Sequence, residues 1–113
     1  MRHILLAFAM SMGFSALAQG QTQEQKNVMQ HAAVLYVADK WCSEYTVDLA
    51  TINRAASSAK IKPEREPFRA YLKEQIDKTQ DALSDAGTKE GCSVLYTLYG
   101  PKGSAVSGQM MRK

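Results

Sequence analysis

The sequence predicts an all-α protein: a small three-helix bundle in which a long helix, a helical hairpin partner and a short third helix are stapled by one disulfide. Two stretches of the chain carry apolar residues at steps of three and four, the spacing of an amphipathic helix. The chain also contains two cysteines, Cys42 and Cys92, which allow a single internal bridge.

The N-terminus predicts export. A short basic start, Met1-Arg2-His3, precedes an uncharged apolar run over residues 4–16, and Ala16-Leu17-Ala18 places small residues where a signal peptidase cleaves. The alternative, a membrane anchor, requires about 20 apolar residues, and this run is shorter. We therefore expect residues 1–18 to be a cleaved signal peptide and the protein to reach the periplasm, where disulfides form.

Cleavage would leave one helical domain, residues 19–100, followed by a flexible C-terminal tail, residues 101–113, which has two glycines, two serines and little apolar bulk. Fourteen basic and eleven acidic residues are interleaved along the chain. Nucleic-acid binding requires a clustered basic face, so no nucleic-acid partner is expected. No membrane span is expected after signal cleavage, and the sequence does not indicate an oligomeric state.

The first predicted helix begins at Thr22, with Gln25 at the position of a capping-box partner. The apolar stripe then continues either as one long helix or as two collinear helices with a break near residues 43–46. Residues 34–37 also have the composition of a strand. The stripe consists of Val28, Ala32, Leu35, Ala38, Cys42, Tyr45, Leu49 and Ile52.

A turn is expected over residues 60–67, and the second helix follows from Phe68 to a stop at Gly87. The third helix would begin near Thr88 and end at Gly100-Pro101. Residues 94–99 are rich in strand-forming side chains, so a strand is the alternative there. We prefer the helix because the capping signals agree with the helical period.

The two cysteines are expected to tie the third helix to the middle of the first. Cys42 lies on the inward stripe of the first helix, and Cys92 lies near the start of the third. A redox role would call for a C-x-x-C pair, which the sequence lacks.

The sequence does not predict an enzyme, a cofactor or a metal site. His31 is the one histidine that export would leave, and its neighbours offer no nucleophile or orienting group, so we interpret it as a helix-surface residue. Asp39, Glu44 and Asp48 would lie along the first helix. A pair of such carboxylates can serve glycoside hydrolysis only in a deep cleft, and a solvated helix face is the simpler interpretation.

Aromatic residues are numerous for a chain of this size. Most are expected in or near the core. Tryptophan and tyrosine also dominate the energetics of protein interfaces, so we take Trp41, Tyr36 and Tyr45 as candidate partner-facing aromatics. Trp41 is the best single candidate because it lies one residue off the main stripe, beside Cys42.

The segment from Gly91-Cys92 to Tyr99-Gly100-Pro101-Lys102-Gly103 resembles the ending of uncharacterised small exported bacterial proteins. These combine a signal peptide, one early cysteine and a late cysteine followed by a Tyr-Gly-Pro-x-Gly turn. The resemblance implies a periplasmic location and a helical disulfide domain, and it implies no activity.

Trp41-Cys42-Ser43-Glu44-Tyr45 is also similar to the first-cysteine segment of periplasmic acid-stress chaperones, which are small, helical and stapled by one disulfide. Those proteins continue into a long charged helical tail, whereas here a short glycine-containing tail follows. We therefore expect a non-catalytic binding or envelope-associated protein, possessing a protein partner in the cell envelope. The alternatives are an acid-stress chaperone and a small hydrolase or hydrolase inhibitor, for which residues 60–67 or the Gly100 turn would serve as the protruding loop.

Overall fold

A computed structural model describes residues 21–113, and the predicted signal peptide lies outside these residues. Within them the chain forms four α-helices and a two-stranded sheet, which confirms the all-α class. The elements in chain order are α1 (Gln23–Trp41), β1 (Tyr45–Val47), α2 (Leu49–Ser58), α3 (Phe68–Ala86), α4 (Thr88–Tyr99) and β2 (Met110–Arg112).

Helix α1 begins with the predicted capping box. The backbone N–H of Gln25 donates to Oγ1 of Thr22 at 3.0 Å, and the N–H of Thr22 donates to Oε1 of Gln25 at 2.9 Å. The two bonds satisfy N–H groups that the first helical turn leaves without a partner. Residues 34–37 are helical, so the strand alternative there is wrong. The buried side of the helix contains Gln25, Met29, Ala32, Ala33, Leu35, Val37 and Ala38.

The apolar stripe does not continue as one helix or as two collinear helices. The chain leaves the helical conformation after Trp41, forms β1, and starts α2 at Leu49. Helix α2 runs back antiparallel to α1. Tyr36 donates to Oδ1 of Asn53 (2.7 Å), and further back along α1 Nε2 of Gln25 donates to the carbonyl of Ala59, just after α2 (2.9 Å). The described residues therefore contain four helices, because the second half of the predicted long first helix is a separate helix, α2.

Asp48 starts α2. One of its carboxylate oxygens accepts the backbone N–H of Thr51 (3.1 Å) and the other accepts the Thr51 hydroxyl (2.7 Å). These hydrogen bonds stabilise the charged form and lower the pKa of Asp48.

Helix α3 runs parallel to α1. Near its start, Gln21 donates to the carbonyl of Pro67 (3.3 Å) and Gln30 donates to the Tyr71 hydroxyl (2.8 Å). Its outer face carries an ion pair between Glu74 and Lys78 at 3.5 Å. Both side chains are well exposed, so such a pair contributes only a few tenths of a kcal/mol.

Gly87, with φ +87°, separates α3 from α4, and residues 88–99 are helical, which confirms the predicted third helix over the strand alternative. Helix α4 lies antiparallel to α1, with Cys92 beside Cys42 at one end and Tyr99 beside His31 at the other.

The prediction of a flexible tail over residues 101–113 is wrong, because these residues are bonded to the rest of the domain. Pro101 lies in a turn closed by the bond from the N–H of Gly103 to the carbonyl of Gly100 (2.9 Å). The following residues donate three backbone bonds to the last carbonyls of α4, including the N–H of Ala105 to the carbonyl of Leu98 (3.0 Å). These bonds satisfy carbonyls that the end of a helix leaves without partners.

After this turn the chain runs back across the domain and forms strand β2 beside β1. The two strands pair antiparallel, with Tyr45 opposite Arg112 and Val47 opposite Met110. Met110 is 0% exposed and joins the core, to which all four helices contribute. Burying a side chain of this kind contributes about 1.5–3 kcal/mol, so the C-terminal segment is part of the domain.

We expect Gly103→Ala to lower the free energy of unfolding by about 1–3 kcal/mol. A Cβ at Gly103 would overlap the carbonyl of Leu98 and lie 2.8 Å from the carbonyl oxygen of Val106, and the Leu98 carbonyl is held in place by the N–H groups of Ala105 and Val106. The exposed neighbour Ser104→Ala is the matched control. Urea unfolding measures both variants, and equal midpoints would contradict this account of the turn.

We expect Asp48→Asn to alter how stability depends on pH. Because the folded pKa of Asp48 is lowered, its contribution is fully present above the unfolded value of about 3.9 and is lost as pH falls through the folded value. Asparagine caps a helix without titrating. The stability difference between wild type and variant, measured by urea unfolding across pH 2–6, should therefore shift towards the variant at low pH. A difference that is constant over this range would show that Asp48 carries no such linkage.

Candidate functional site

The predicted disulfide between Cys42 and Cys92 is confirmed. The Cα atoms are 5.6 Å apart, both residues are buried, and the bond joins the residue after the end of α1 to the second turn of α4. It closes a loop with a sequence separation of 50 residues. The position of α4 against α1 is therefore fixed covalently next to Trp41.

Trp41 stands at the surface beside this bond. Its side chain is 47% exposed, although tryptophan is highly buried on average. The side chain lines a depression of about 410 Å³ and also a second one of about 260 Å³. Thr88, the first residue of α4, lines both. We call the two depressions together the Trp41 groove.

The larger depression is rich in polar and charged side chains, and its wall includes the disulfide. Its lining residues are Trp41, Ser43, Glu44, Tyr45, Thr88, Lys89, Glu90, Cys92, Ser93 and Arg112. The smaller depression is lined by Trp41, Gln80, Asp81, Leu83, Ser84 and Thr88.

The charged side chains of the Trp41 groove do not pair with one another. Within residues 21–113, the ion pairs are Glu66–Arg69, Lys73–Asp77 and Glu74–Lys78, all outside the groove. The Arg112 guanidinium instead lies over two aromatic rings, 4.8 Å from the centroid of Tyr96 and 5.5 Å from that of Tyr45. At such distances the ring quadrupole attracts the cation.

The three aromatics predicted to face a partner have different environments. Trp41 is exposed, as expected. Tyr45 is only 8% exposed and packs on Tyr96 with 5.1 Å between ring centroids, so it supports the groove from within instead of presenting a free face. Tyr36 is half-buried and bonded to Asn53 of α2, and this burial raises its pKa. The structure does not bring Tyr36 to the groove.

His31 is not a free surface residue. It is half-buried, and its Nδ1 lies 2.8 Å from the hydroxyl of Tyr99, whose ring meets it edge-on. Burial raises the pKa of Tyr99. His31 precedes Trp41 by ten residues on the same helix, which places it about 15 Å along the helix axis from Trp41.

The three carboxylates expected along the first helix are separated in the structure. Asp39 lies on the exposed side of α1, Glu44 lines the Trp41 groove, and Asp48 caps α2. Glu44 and Asp48 share no helix face because residues 42–48 are not helical.

Among residues 21–113 there is no cluster of three or more histidine, cysteine or acidic side chains placed to hold a metal ion. No helix in this part of the chain is both long enough and apolar enough to cross a bilayer. Comparison with known proteins finds no matching protein-family model, no matching curated protein and no matching solved structure.

The sequence did not indicate Lys89, Glu90 and Arg112 as members of the site. No motif singles out Lys89 or Glu90, and Arg112 falls in the segment expected to be a flexible tail. The available signal was the run Met110-Met111 near the C-terminus, because two large apolar residues there favour a packed segment over a free one.

We expect the double variant Cys42→Ser, Cys92→Ser to lose about 4 kcal/mol of stability in the chain-entropy model for a loop of this length. This is a large part of the roughly 5–15 kcal/mol that holds a typical domain together. Urea unfolding followed by Trp41 fluorescence measures the loss. Reductant should lower the stability of the wild type to that of the double variant and leave the variant unchanged. Equal stability of oxidised wild type and variant would contradict the structural role of the bond.

Proposed function

We propose that this protein is a non-catalytic binding domain of the bacterial periplasm that engages a protein partner through the Trp41 groove. The observation that carries the proposal is the exposure of Trp41 where it lines two depressions, next to the disulfide that joins its neighbour Cys42 to helix α4. Tryptophan is one of the residue types enriched among the side chains that dominate the binding energy of protein interfaces.

The disulfide and the N-terminal sequence support the periplasmic location. Disulfides persist in oxidising compartments and are rare in the cytosol. The apolar run over residues 4–16 and the small residues at Ala16 and Ala18 fit a cleaved export signal.

The composition of the groove supports binding over catalysis. The groove contains hydroxyls, an amide and charged groups, while the imidazole of His31 is committed to Tyr99 on another part of α1. A nucleophile needs an adjacent base to become reactive, and the serines of the groove, Ser43, Ser84 and Ser93, have no histidine among their lining neighbours.

An acid-stress chaperone is the second candidate, and Asp48 is the observation that favours it. Its protonation removes the charged cap from α2, the helix that covers one side of α1. At low pH the eleven carboxylates also lose their charge while thirteen Lys and Arg side chains in residues 21–113 keep theirs, which promotes expansion by self-repulsion. Such a protein should expose apolar surface to a fluorescent dye between about pH 2 and 4 while remaining soluble.

Site-specific photocrosslinking in living cells tests the binding function. A photoreactive phenylalanine analogue replaces Lys89, which lines the groove, or Lys62, which follows α2 at the other end of α1. We expect a discrete adduct from position 89, its loss when Trp41→Ala is added, and no equivalent adduct from position 62.

Absence of an adduct at position 89 would argue against the groove as a binding site, as would an adduct that persists after Trp41→Ala. Trp41→Ala is suitable here because the side chain is half-exposed, so its removal leaves the core intact. Near-identical circular dichroism of both proteins is the control for folding.

A further inference from the structure

We propose that the protein partner of the Trp41 groove is a second copy of this chain, bound about a two-fold axis; this inference rests on the proposed function and names its partner. It starts from the charges around the larger depression. Two acidic side chains, Glu44 and Glu90, and two basic ones, Lys89 and Arg112, line it. The depression therefore carries charges of both signs and no net charge.

These four charged side chains are exposed and have no ion-pair partner within the part of the chain that the structure describes. The three ion pairs among residues 21–113 lie on α3 or just before it, outside the groove. Arg112 contacts the rings of Tyr45 and Tyr96, and a guanidinium stacked on a ring keeps the N–H groups at its edge free to donate to a carboxylate. All four groups can therefore pair across an interface.

A surface with unpaired charges of both signs is complementary to a copy of itself. In a two-fold dimer, residue i of one copy contacts residue j of the other, and residue j of the first copy contacts residue i of the second. Each contact between an acid and a base therefore occurs twice, and both signs are matched. A partner surface of a single sign would instead bring like charges together at half of these positions, which costs binding energy.

The overall charge of the chain does not oppose this association. Residues 21–113 contain thirteen basic and eleven acidic side chains, so two copies repel each other only weakly at neutral pH. A net charge close to zero favours association between copies of a protein.

Trp41 supplies apolar surface that a dimer would bury. Its side chain is 47% exposed, and it lines the same depression as the four charges. Val94, which is 55% exposed, follows the lining residue Ser93 along α4. Protein interfaces have an apolar centre surrounded by a polar rim, and tryptophan is enriched in them. The Trp41 groove has this composition.

Sedimentation equilibrium of the oxidised protein, at concentrations from about 1 µM to about 1 mM, measures the association. The probe is the protein itself. We expect the weight-average mass to rise from that of one chain to that of two chains and to go no higher, because a two-fold contact closes on itself. Added salt should weaken the dimer, and Trp41→Ala should weaken it about tenfold or more.

Charge reversal distinguishes this self-complementary contact from other kinds of association. Lys89→Glu leaves three acidic side chains and one basic side chain around the larger depression, and Glu44→Lys leaves three basic and one acidic. We expect each variant alone to dimerise about tenfold or more weakly than wild type. An equimolar mixture of the two should form dimers with an affinity within about threefold of wild type, because the acidic copy then faces the basic one.

Lys62→Glu and Glu64→Lys are the matched controls. Both residues are exposed in the loop between α2 and α3, at the other end of α1 from Trp41. These substitutions change the total charge by the same amounts as the groove variants, and they should leave dimerisation within about twofold of wild type. Unfolding midpoints verify that all the variants are folded.

A mass of one chain over the whole concentration range would overturn the proposal. So would masses above two chains, equal losses in the groove and control variants, or no recovery in the mixture. If the crosslink from position 89 depends on Trp41 but joins the chain to a different protein, the binding function stands and self-association fails. If no crosslink forms and the mass stays at one chain, both fail.

Discussion

The disulfide between Cys42 and Cys92 is the constraint on which the geometry of the site depends. Helix α1 ends at Trp41, and the next residue, Cys42, is bonded to Cys92. The disulfide therefore holds α4 against the C-terminal end of α1. Helix α4 lines much of the larger depression beside Trp41, whereas α3 supplies most of the lining of the smaller one. A small domain buries a modest fraction of its surface on folding, so a covalent link across a long loop is a large term in its stability.

The C-terminal segment depends on the same arrangement. Its backbone satisfies the last carbonyls of α4, turns at Gly103, and returns Met110 to the core and Arg112 to the rings of Tyr45 and Tyr96. The Tyr-Gly-Pro-x-Gly sequence therefore has a structural explanation in this protein. It ends a helix and directs the following chain back across the domain, which completes one wall of the Trp41 groove.

The features that the sequence predicted correctly are determined by neighbouring residues. The capping box at Thr22, the break at Gly87 and the helix over residues 88–99 depend on contacts within a few positions. The structure has the break that one alternative placed near residues 43–46, but the helix after it is not collinear with the first, because the helical spacing of apolar residues continues through Tyr45 although the backbone is not helical there. Strand β2 was not predicted because its three residues adopt the strand conformation by pairing with β1, which is distant in the sequence. Arg112 belongs to this strand and was missed with it. The exposure of Trp41 was therefore predicted, whereas most of the residues that surround it in the groove were not.

The central claim is that an exported, oxidised domain holds Trp41 exposed beside its disulfide. Mass spectrometry of the protein from the periplasmic fraction, alkylated before and after reduction, tests this claim most directly. The account predicts a chain that begins at Gln19 and takes up alkylating reagent at Cys42 and Cys92 only after reduction. An uncut N-terminus, or two thiols alkylated without reduction, would contradict it.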